Sequence, residues 1–522
     1  MKRILTLLLC FVSIVPIIMA DEKEDSLNFY AQQFYIASQS GDLENGCKYC
    51  EHILRIYKGM NEDISQDTVY AYIGSLYANL CYQIGEYKKA INTGKELLNI
   101  YHIYGENDPH YITTLSLLRD CCYLSGEKEQ ACEYNKTSLR IYRENHKDVS
   151  QDTVFAEMEL EFANMCYEFG YYKPAIEATS HALEIYKSVT HPDYAHTLQN
   201  LALFYDKDGQ YKKAIQLGHE ALSATEKRYG STHINYIISL DHLACYYGDD
   251  KNHEKAINIC SKALDLAEKS IGLRNLTCAS LLDHLAGFCA DNNEYQKAVD
   301  ICNEAITIYK ELEIRDISYA VSLHNIALYH SKLHNYKEAI SFGSEALEIA
   351  KNTGMISHPN YVCFLSDLAI FYSYINAYDK SIQLNSEALT FYEKSLGTNN
   401  HSYAGILKCQ ASNFSALGYY DEAIQLNRKA LDIFKNLYGN KHPLYAATLS
   451  NLASNYDDLC QYEKAIQFGN EALQIFKSIK GEDKSNYVTT LNNLALYNNH
   501  KGNHETAIRL SNEAMSFIKK EW

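Results

Sequence analysis

The sequence predicts an all-α protein, a right-handed solenoid superhelix of about twelve tandem helix-turn-helix repeats. Repeats of about 42 residues follow one another, and each contains a similar stretch of 16 residues, such as "NLALFYDKDGQYKKAI" from Asn200 and "NLASNYDDLCQYEKAI" from Asn451. Each repeat carries two stretches with the apolar periodicity of a helix. The 522 residues include only 6 Pro and 24 Gly, which are too few turn-forming residues for the many turns of a β-rich fold.

One small residue, which we call the anchor, marks every repeat in motifs such as "YKKAI". The anchors are Gly46, Ala90, Ala131, Ala175, Ala214, Ala256, Ala298, Ala339, Ser381, Ala423, Ala465 and Ala507. From Ala214 onward the spacing is 42 residues at every step except one step of 41. Towards the amino terminus the spacing is less regular, and Gly46 is the weakest member of the series.

Two further alanines recur, twelve residues before the anchor (Ala202) and seven residues after it (Ala221). Large apolar residues accompany them at helical spacing, so each helix has one small-and-apolar face. Small residues on both helices allow the two backbones to pack closely. A hairpin of this length cannot bury its own apolar face, and stacking on copies of itself provides the missing cover.

The pattern "HPxYAxTLxNLAxxYxxxGxYxxAI", with its aromatic, Ala and Ala-Leu positions, resembles the tetratricopeptide repeat (TPR). The long repeats are similar to the 42-residue variety of kinesin light chains and of many exported bacterial scaffolds. The resemblance covers roughly residues 27–520, with divergent repeats 1–4 at 27–190 and regular repeats 5–12 at 191–522. It implies a fold that binds other proteins. Arg119 departs from the pattern, because it stands where other repeats have the alanine before the anchor.

The first twenty residues have the composition of a secretory signal peptide. A basic head (Lys2, Arg3) precedes a short apolar run, and Ala20 stands before the acidic "DEKED". An uncleaved anchor is the alternative, but the run is shorter than the ~20 residues of a spanning helix. We therefore expect export to the periplasm or the extracellular space, and a mature chain without a membrane span.

The chain is acidic. Cleavage after Ala20 would remove two cations and no acid, which lowers the net charge from −17 to −19. This balance argues against a nucleic-acid partner, which requires a cationic surface for the phosphates. It mildly favours a basic or neutral partner.

No residue set in the sequence predicts a cofactor, a metal site or a catalytic centre. The pair Cys47 and Cys50 has zinc or redox spacing, yet the slot of Cys50 recurs as Cys260 in a repeat without the pair, which indicates packing. Fifteen cysteines remain after Ala20, an odd number, and we interpret most as buried thiols. A local disulfide among Cys121, Cys122 and Cys132 stays open. His324, His330 and His334 lack a completing acid or thiol, and His334 is expected in a turn.

One set of polar residues is the candidate binding site. It stands fourteen residues before the anchor, on the first helix of each repeat, and we call it the polar row: Asn200, His242, His284, Asn325, Asp367, Asn451 and Asn493. The TPR resemblance implies that this slot faces a concave groove, where Asn bonds to the backbone of a bound peptide. An amide offers both a donor and an acceptor, as a peptide backbone requires. Alternatively, these side chains satisfy a neighbouring helix end or face water. Leu76, Leu117, Glu161 and Cys409 interrupt the row.

The sequence thus predicts a non-catalytic, exported scaffold for a protein or peptide partner. The alternative is the sensory or docking half of a larger signalling or protease-associated system, with its effector domain elsewhere. An enzyme is rejected because the repeats leave almost no chain for an active site. The last repeat has no polar capping helix after it, which leads us to expect a lost carboxy-terminal domain, a partner subunit or self-association through this end.

Overall fold

The computed structural model describes residues 22–61, 63–354, 356, 359–479 and 484–521. Within these residues the chain forms 24 α-helices and no strand. The predicted all-α solenoid of hairpin repeats is therefore confirmed. The predicted signal peptide, residues 1–20, lies outside the described residues. None of the helices described combines the length with the apolar composition that crossing a bilayer requires.

The first compact unit ends at Lys251. Its helices are α1 (Glu22–Ser40), α2 (Leu43–Met60), α3 (Thr68–Gln83), α4 (Tyr87–His102), α5 (Pro109–Ser125), α6 (Lys128–Asn145), α7 (Thr153–Glu168), α8 (Tyr172–Ser188), α9 (Tyr194–Lys207), α10 (Tyr211–Tyr229) and α11 (Ile234–Asp249). The helices from α1 to α10 pair in chain order as five hairpins, and each hairpin packs on the next. Odd-numbered helices are the first helices of their repeats.

The second compact unit begins at Asn252. Its helices are α12 (His253–Ile271), α13 (Leu276–Asp291), α14 (Tyr295–Glu311), α15 (Ile317–Lys332), α16 (Tyr336–Asn352), α17 (Pro359–Tyr374), α18 (Tyr378–Phe391), α19 (His401–Ala416), α20 (Tyr420–Tyr438), α21 (Pro443–Asp458), α22 (Tyr462–Ser478), α23 (Lys484–His500) and α24 (His504–Glu521). Helices α13 to α24 form six hairpins. A π-helical turn, Tyr392–Leu396, follows α18 directly.

The recurring small residues lie where the helices pack most closely. Ala202 and Ala214, on the two helices of one repeat, are fully buried. Four residues after the anchor, Gly343 faces the next first helix, where an added Cβ would lie 3.3 Å from Leu368. Larger residues at such slots would separate the helices, because protein interiors have no spare volume.

The turn inside each hairpin places one residue in the left-handed backbone region. Glycine occupies it in several repeats, with φ of 84° at Gly418 and 88° at Gly502. His334 has φ of 61° there, which confirms its predicted place in a turn, and Cys460 has φ of 58°. Since left-handed φ costs a non-glycine residue roughly 1–2 kcal/mol, these two turns retain local strain.

First helices of successive repeats also contact each other directly, as α3 contacts α5 in the first unit and α13 contacts α15 in the second. A surface of first helices therefore runs along each unit. Arg119 belongs to this surface, half-buried on α5, where it forms ion pairs with Asp120 at 2.8 Å and Glu161 at 3.6 Å. The repeat keeps its hairpin, and Leu118, one residue earlier in the slot that holds Leu201 in the fifth repeat, is fully buried.

Candidate functional site

The polar row lies on first helices throughout. Asn200 is on α9 and His242 on α11 in the first unit, while the other five lie on α13, α15, α17, α21 and α23 of the second unit. Six of the seven side chains are half-buried, and His284 is exposed. A half-buried polar side chain on a row of touching helices can reach a ligand while its stem stays packed. The role of the row in binding remains a prediction.

One member of the row has a close side-chain partner on the neighbouring repeat. Asp367 Oδ2 on α17 lies 3.1 Å from Nε2 of His324 on α15. His324 is buried and packs against Phe364, with ring centroids 4.5 Å apart. The carboxylate of Asp367 is therefore already engaged by a protein group.

The residues directly before the polar row, fifteen residues before the anchor, form hydrogen bonds between successive first helices. Gln199 Nε2 on α9 donates to Ser239 Oγ on α11 at 2.5 Å, and Ser450 Oγ on α21 lies 3.4 Å from Thr490 Oγ1 on α23. The sequence analysis missed this ladder, although its signal was present as polar residues fifteen before the anchor. The ladder is structural in character, because its groups bond to each other across repeats.

Asp283 occupies the same position of the seventh repeat, fifteen residues before the anchor, and its pKa is shifted. Its carboxylate accepts a short hydrogen bond from the Ser322 hydroxyl, and Tyr309 OH donates to Oδ2 at 3.2 Å. Burial raises its pKa to about 6, although these hydrogen bonds and His284 act in the opposite direction. The group thus titrates close to neutral pH.

The three histidines of the eighth repeat have separate environments. His324 bonds to Asp367, whereas His330 stacks on Phe342 with ring centroids 5.6 Å apart and has its pKa lowered by burial. His334 Nδ1 lies 2.8 Å from the hydroxyl of Tyr336 in its turn. Each histidine is thus accounted for by packing or by a local hydrogen bond.

The cysteines described are free thiols, and eleven of the fifteen are buried. Cys47 and Cys50 of the "CKYC" motif have different neighbours: Cys47 Sγ lies 3.4 Å from Cys81 Sγ, while Cys50 Sγ donates to the Ile73 carbonyl. Cys132 Sγ lies 3.9 Å from Cys166 Sγ of the next repeat. The motif therefore packs into the core between repeats.

Two cavities open beside members of the polar row, one in each unit. In the first unit a cavity of about 280 Å³ lies between α9, α10 and α11, lined by His196, Gln199, Thr225, Asn235 and His242 among others. Its lining offers imidazole, amide and hydroxyl groups. Asp193 adds a carboxyl group, so most of the lining residues are polar.

In the second unit a cavity of about 320 Å³, the α17–α19 cavity, lies between the first helices of repeats 9 and 10. Asp367 and Cys409, both in the slot of the polar row, line it. Asn385 on α18 contributes to the lining and is only 1% exposed. Both amide atoms of Asn385 are buried without a hydrogen-bond partner of normal geometry. Burial raises the pKa of the Cys409 thiol, and the neighbouring Asn385 amide acts in the opposite direction.

Asn385 belongs to a group of buried polar residues that we call the amide junction: Ser381, Asn385, Gln410 and Asn413. Asn413 Nδ2 donates to Ser381 Oγ at 2.7 Å, and Gln410 Nε2 donates to Ser386 Oγ at 3.1 Å. The carbonyl oxygens of Gln410 and Asn413 are buried without partners. A native core contains few such atoms, and each one requires an explanation.

These observations define the class of protein as a stack of helical hairpins with a polar, partly hollow first-helix surface. A family model described as tetratricopeptide repeat matches residues 67–144, 193–269, 276–352, 318–394, 402–478 and 460–520. These segments cover most of the chain, which therefore belongs to the tetratricopeptide repeat family. No curated protein sequence matches the chain.

Two solved structures are similar to this chain at low identity. The crystal structure of BtubC (BKLC) from P. vanneervenii is 19% identical, with a TM-score of 0.38, over 44% of this chain and 92% of that chain. The apo form of RapI is 17% identical, with a TM-score of 0.46, over 71% of this chain and 98% of that chain. At these values neither structure informs the function.

Proposed function

We propose that this protein is an exported, non-catalytic TPR scaffold that binds a protein or peptide partner along its first-helix surface. Membership of the family supports protein binding as the general role. Export rests on the basic, apolar and small-residue pattern of residues 1–20. The net charge of −17 favours a partner segment that is basic or neutral.

The observation that carries this proposal is the regular spacing of the polar row. From Asn451 to Asn493, half-buried polar side chains recur once per repeat on helices that contact each other. An extended peptide presents donors and acceptors at regular intervals, and amide side chains can satisfy both. In the second unit, the cavity beside Asp367 would hold a side chain of such a peptide.

The experiment begins by capturing the partner with the wild-type protein from the cell envelope of its own organism. Its affinity for the double variant Asn451→Ala with Asn493→Ala is then measured by calorimetry. Each lost hydrogen bond contributes about 0.5–1.5 kcal/mol, so binding should weaken by about 1–3 kcal/mol if the effects add. The melting temperature should change little.

The matched control is Asn470→Ala with Asn512→Ala, which removes two exposed amides from the second helices of the same repeats. It should leave the affinity unchanged. If the melting temperature of the first double variant collapses while affinity per folded molecule stays constant, the row is structural and the proposal fails.

A further inference from the structure

The amide junction is more polar than the equivalent positions elsewhere in the second unit. Between repeats 8 and 9, and again between repeats 11 and 12, an apolar seal forms: Gly343 faces Leu368 and Phe371, and Gly469 faces Leu494 and Tyr497. The junction between repeats 10 and 11 is mixed, because the buried amides of Asn427 and Asn455 accompany Leu452 and also retain atoms without a partner. Between repeats 9 and 10 the same three slots hold Asn385, Gln410 and Asn413, and the anchor alanine becomes Ser381. Polar groups thus replace the whole seal.

The α17–α19 cavity opens beside this junction, with Asn385 in its lining. Its volume of about 320 Å³ falls in the range of about 300–1,000 Å³ that small-molecule sites occupy. Tyr392, the first residue of the π-helical turn, also lines the cavity. Single π-helical turns occur frequently at functional sites. A cavity, open amide atoms and an irregular helix turn therefore coincide at one place.

We propose that the α17–α19 cavity is an anchoring subsite for a primary carboxamide, the side chain of a Gln or Asn residue of the bound partner. The buried amide atoms of Asn385 that lack a partner of normal geometry are one donor (Nδ2), which lies beside the Cys409 thiol, and one acceptor (Oδ1). A second carboxamide matches both at once: its oxygen accepts from Nδ2, and its own N–H donates to Oδ1. The open Gln410 Oε1 is a further acceptor in the same junction.

Other chemical classes fit these groups less well. An ammonium or guanidinium group only donates, which leaves Nδ2 of Asn385 unpaired. A carboxylate only accepts, and it would approach the carboxylate of Asp367 in the lining. Asp367 Oδ2 already lies 3.1 Å from Nε2 of His324, so this oxygen is occupied by a protein group. A trans peptide group directs its N–H and C=O to opposite sides and cannot form both bonds to one amide.

This inference rests on the proposed function, since the carboxamide belongs to the partner, but its test does not need the partner. The probes are the blocked amino acids N-acetylglutamine N-methylamide and its glutamate, lysine and methionine counterparts. Binding of each probe to the full chain is measured by saturation-transfer NMR, with dissociation constants from titration. We expect the glutamine probe to bind at least about tenfold more tightly than the others, because one lost hydrogen bond can cost this factor.

The test variant is Asn385→Gly with Gln410→Leu, which recreates the sealed junction of Gly343 and Leu368 and is therefore expected to fold. It should lose the glutamine probe. The matched control is Asn427→Gly, the same slot one repeat later, where a buried amide is also removed but outside the cavity lining. It should keep the wild-type affinity.

The inference is overturned if the wild-type chain binds the four probes equally or binds none of them. Undiminished binding to the Asn385→Gly, Gln410→Leu variant would overturn it as well. Partner capture that persists in spite of such a result would refute the carboxamide subsite and leave the scaffold proposal standing. Loss of partner binding in the polar-row variant alone bears on the scaffold proposal and not on the subsite.

Discussion

The phenol of Tyr309 on α14 donates a 3.2 Å hydrogen bond to Asp283 Oδ2 on α13, inside a repeat that also buries Cys302. Burial raises the pKa of Asp283 to about 6. Burial also raises the pKa of Tyr309, and the nearby carboxylate of Asp283 raises it further. A charged Asp283 at neutral pH therefore lowers the stability of the fold, because this carboxylate is half-buried.

The variant Asp283→Asn should be more stable than the wild type at neutral pH. A carboxyl with a raised folded-state pKa binds its proton more tightly when folded, so the associated stability is complete below about pH 4 and is lost as the pH rises through about 6. We expect a small difference at pH 4 and one on the order of 2 kcal/mol in favour of the variant at pH 7.5. Urea unfolding at both pH values measures it.

The control for this prediction is Asp265→Asn, at an exposed position of α12. A surface substitution should change stability by no more than about 0.5 kcal/mol at either pH. A difference for Asp283→Asn that is equal at pH 4 and pH 7.5 would contradict the assigned titration.

The variant Cys460→Gly should stabilise the second unit. Cys460 has φ of 58° and is exposed, so glycine would relieve backbone strain without opening a cavity. The gain should be about 0.5–1 kcal/mol, because glycine also increases the entropy of the unfolded chain. The converse change at the equivalent turn, Gly418→Ala, should destabilise by a comparable or larger amount. Equal melting temperatures for the two variants would argue against turn strain.

The thiols of Cys47 and Cys81 should form a disulfide under a diamide oxidant, which accepts the two protons and two electrons released. Their sulfurs lie 3.4 Å apart, so little movement is required. Burial raises the pKa of Cys81 to about 12, so thiolate is scarce and the reaction should be slow.

Peptide mapping after the exposed Cys363 and Cys460 have been blocked with N-ethylmaleimide identifies the bond. Cys47→Ser should abolish it and leave any bond between Cys132 and Cys166 unaffected. Random pairing among many cysteines would show that the core opens before it reacts.

Deletion of residues 466–507 should leave a folded chain that is one repeat shorter. The cut joins Ala465 to Ile508, so the anchor register and its buried contacts are retained, and each repeat contacts only its neighbours. Far-UV circular dichroism should lose helical signal in proportion to length, with cooperative melting retained. Deletion of 466–486 removes half a period and should disrupt the carboxy-terminal repeats. Equal behaviour of the two deletions would contradict modular packing.

Local periodicity was sufficient to predict the hairpins, since Ala202 and Ala214 occupy equivalent slots in most repeats and both are buried. It also placed His334 in its turn, because that slot holds glycine elsewhere. The amide junction was not predicted. Ser381 was visible as an exception to the anchor series, but its significance depends on Asn413, which comes from the next repeat and becomes a neighbour only through stacking. Whether a buried amide atom lacks a hydrogen-bond partner depends on the residues that stacking brings next to it, and the local sequence does not contain this information.

Because the period is nearly constant from Ala214 onward, equivalent positions of different repeats can be compared directly within this one chain. Each core position occurs many times in almost the same surroundings, so a residue can be transplanted from one repeat to another with its natural context already present. Gly343 and Leu368 supply the sequence of a sealed junction, and Asn385 and Gln410 supply that of an open one. Moving the second pair into the place of the first would transfer a recognition pocket along the same chain, and would allow the spacing between bound side chains to be set by counting repeats.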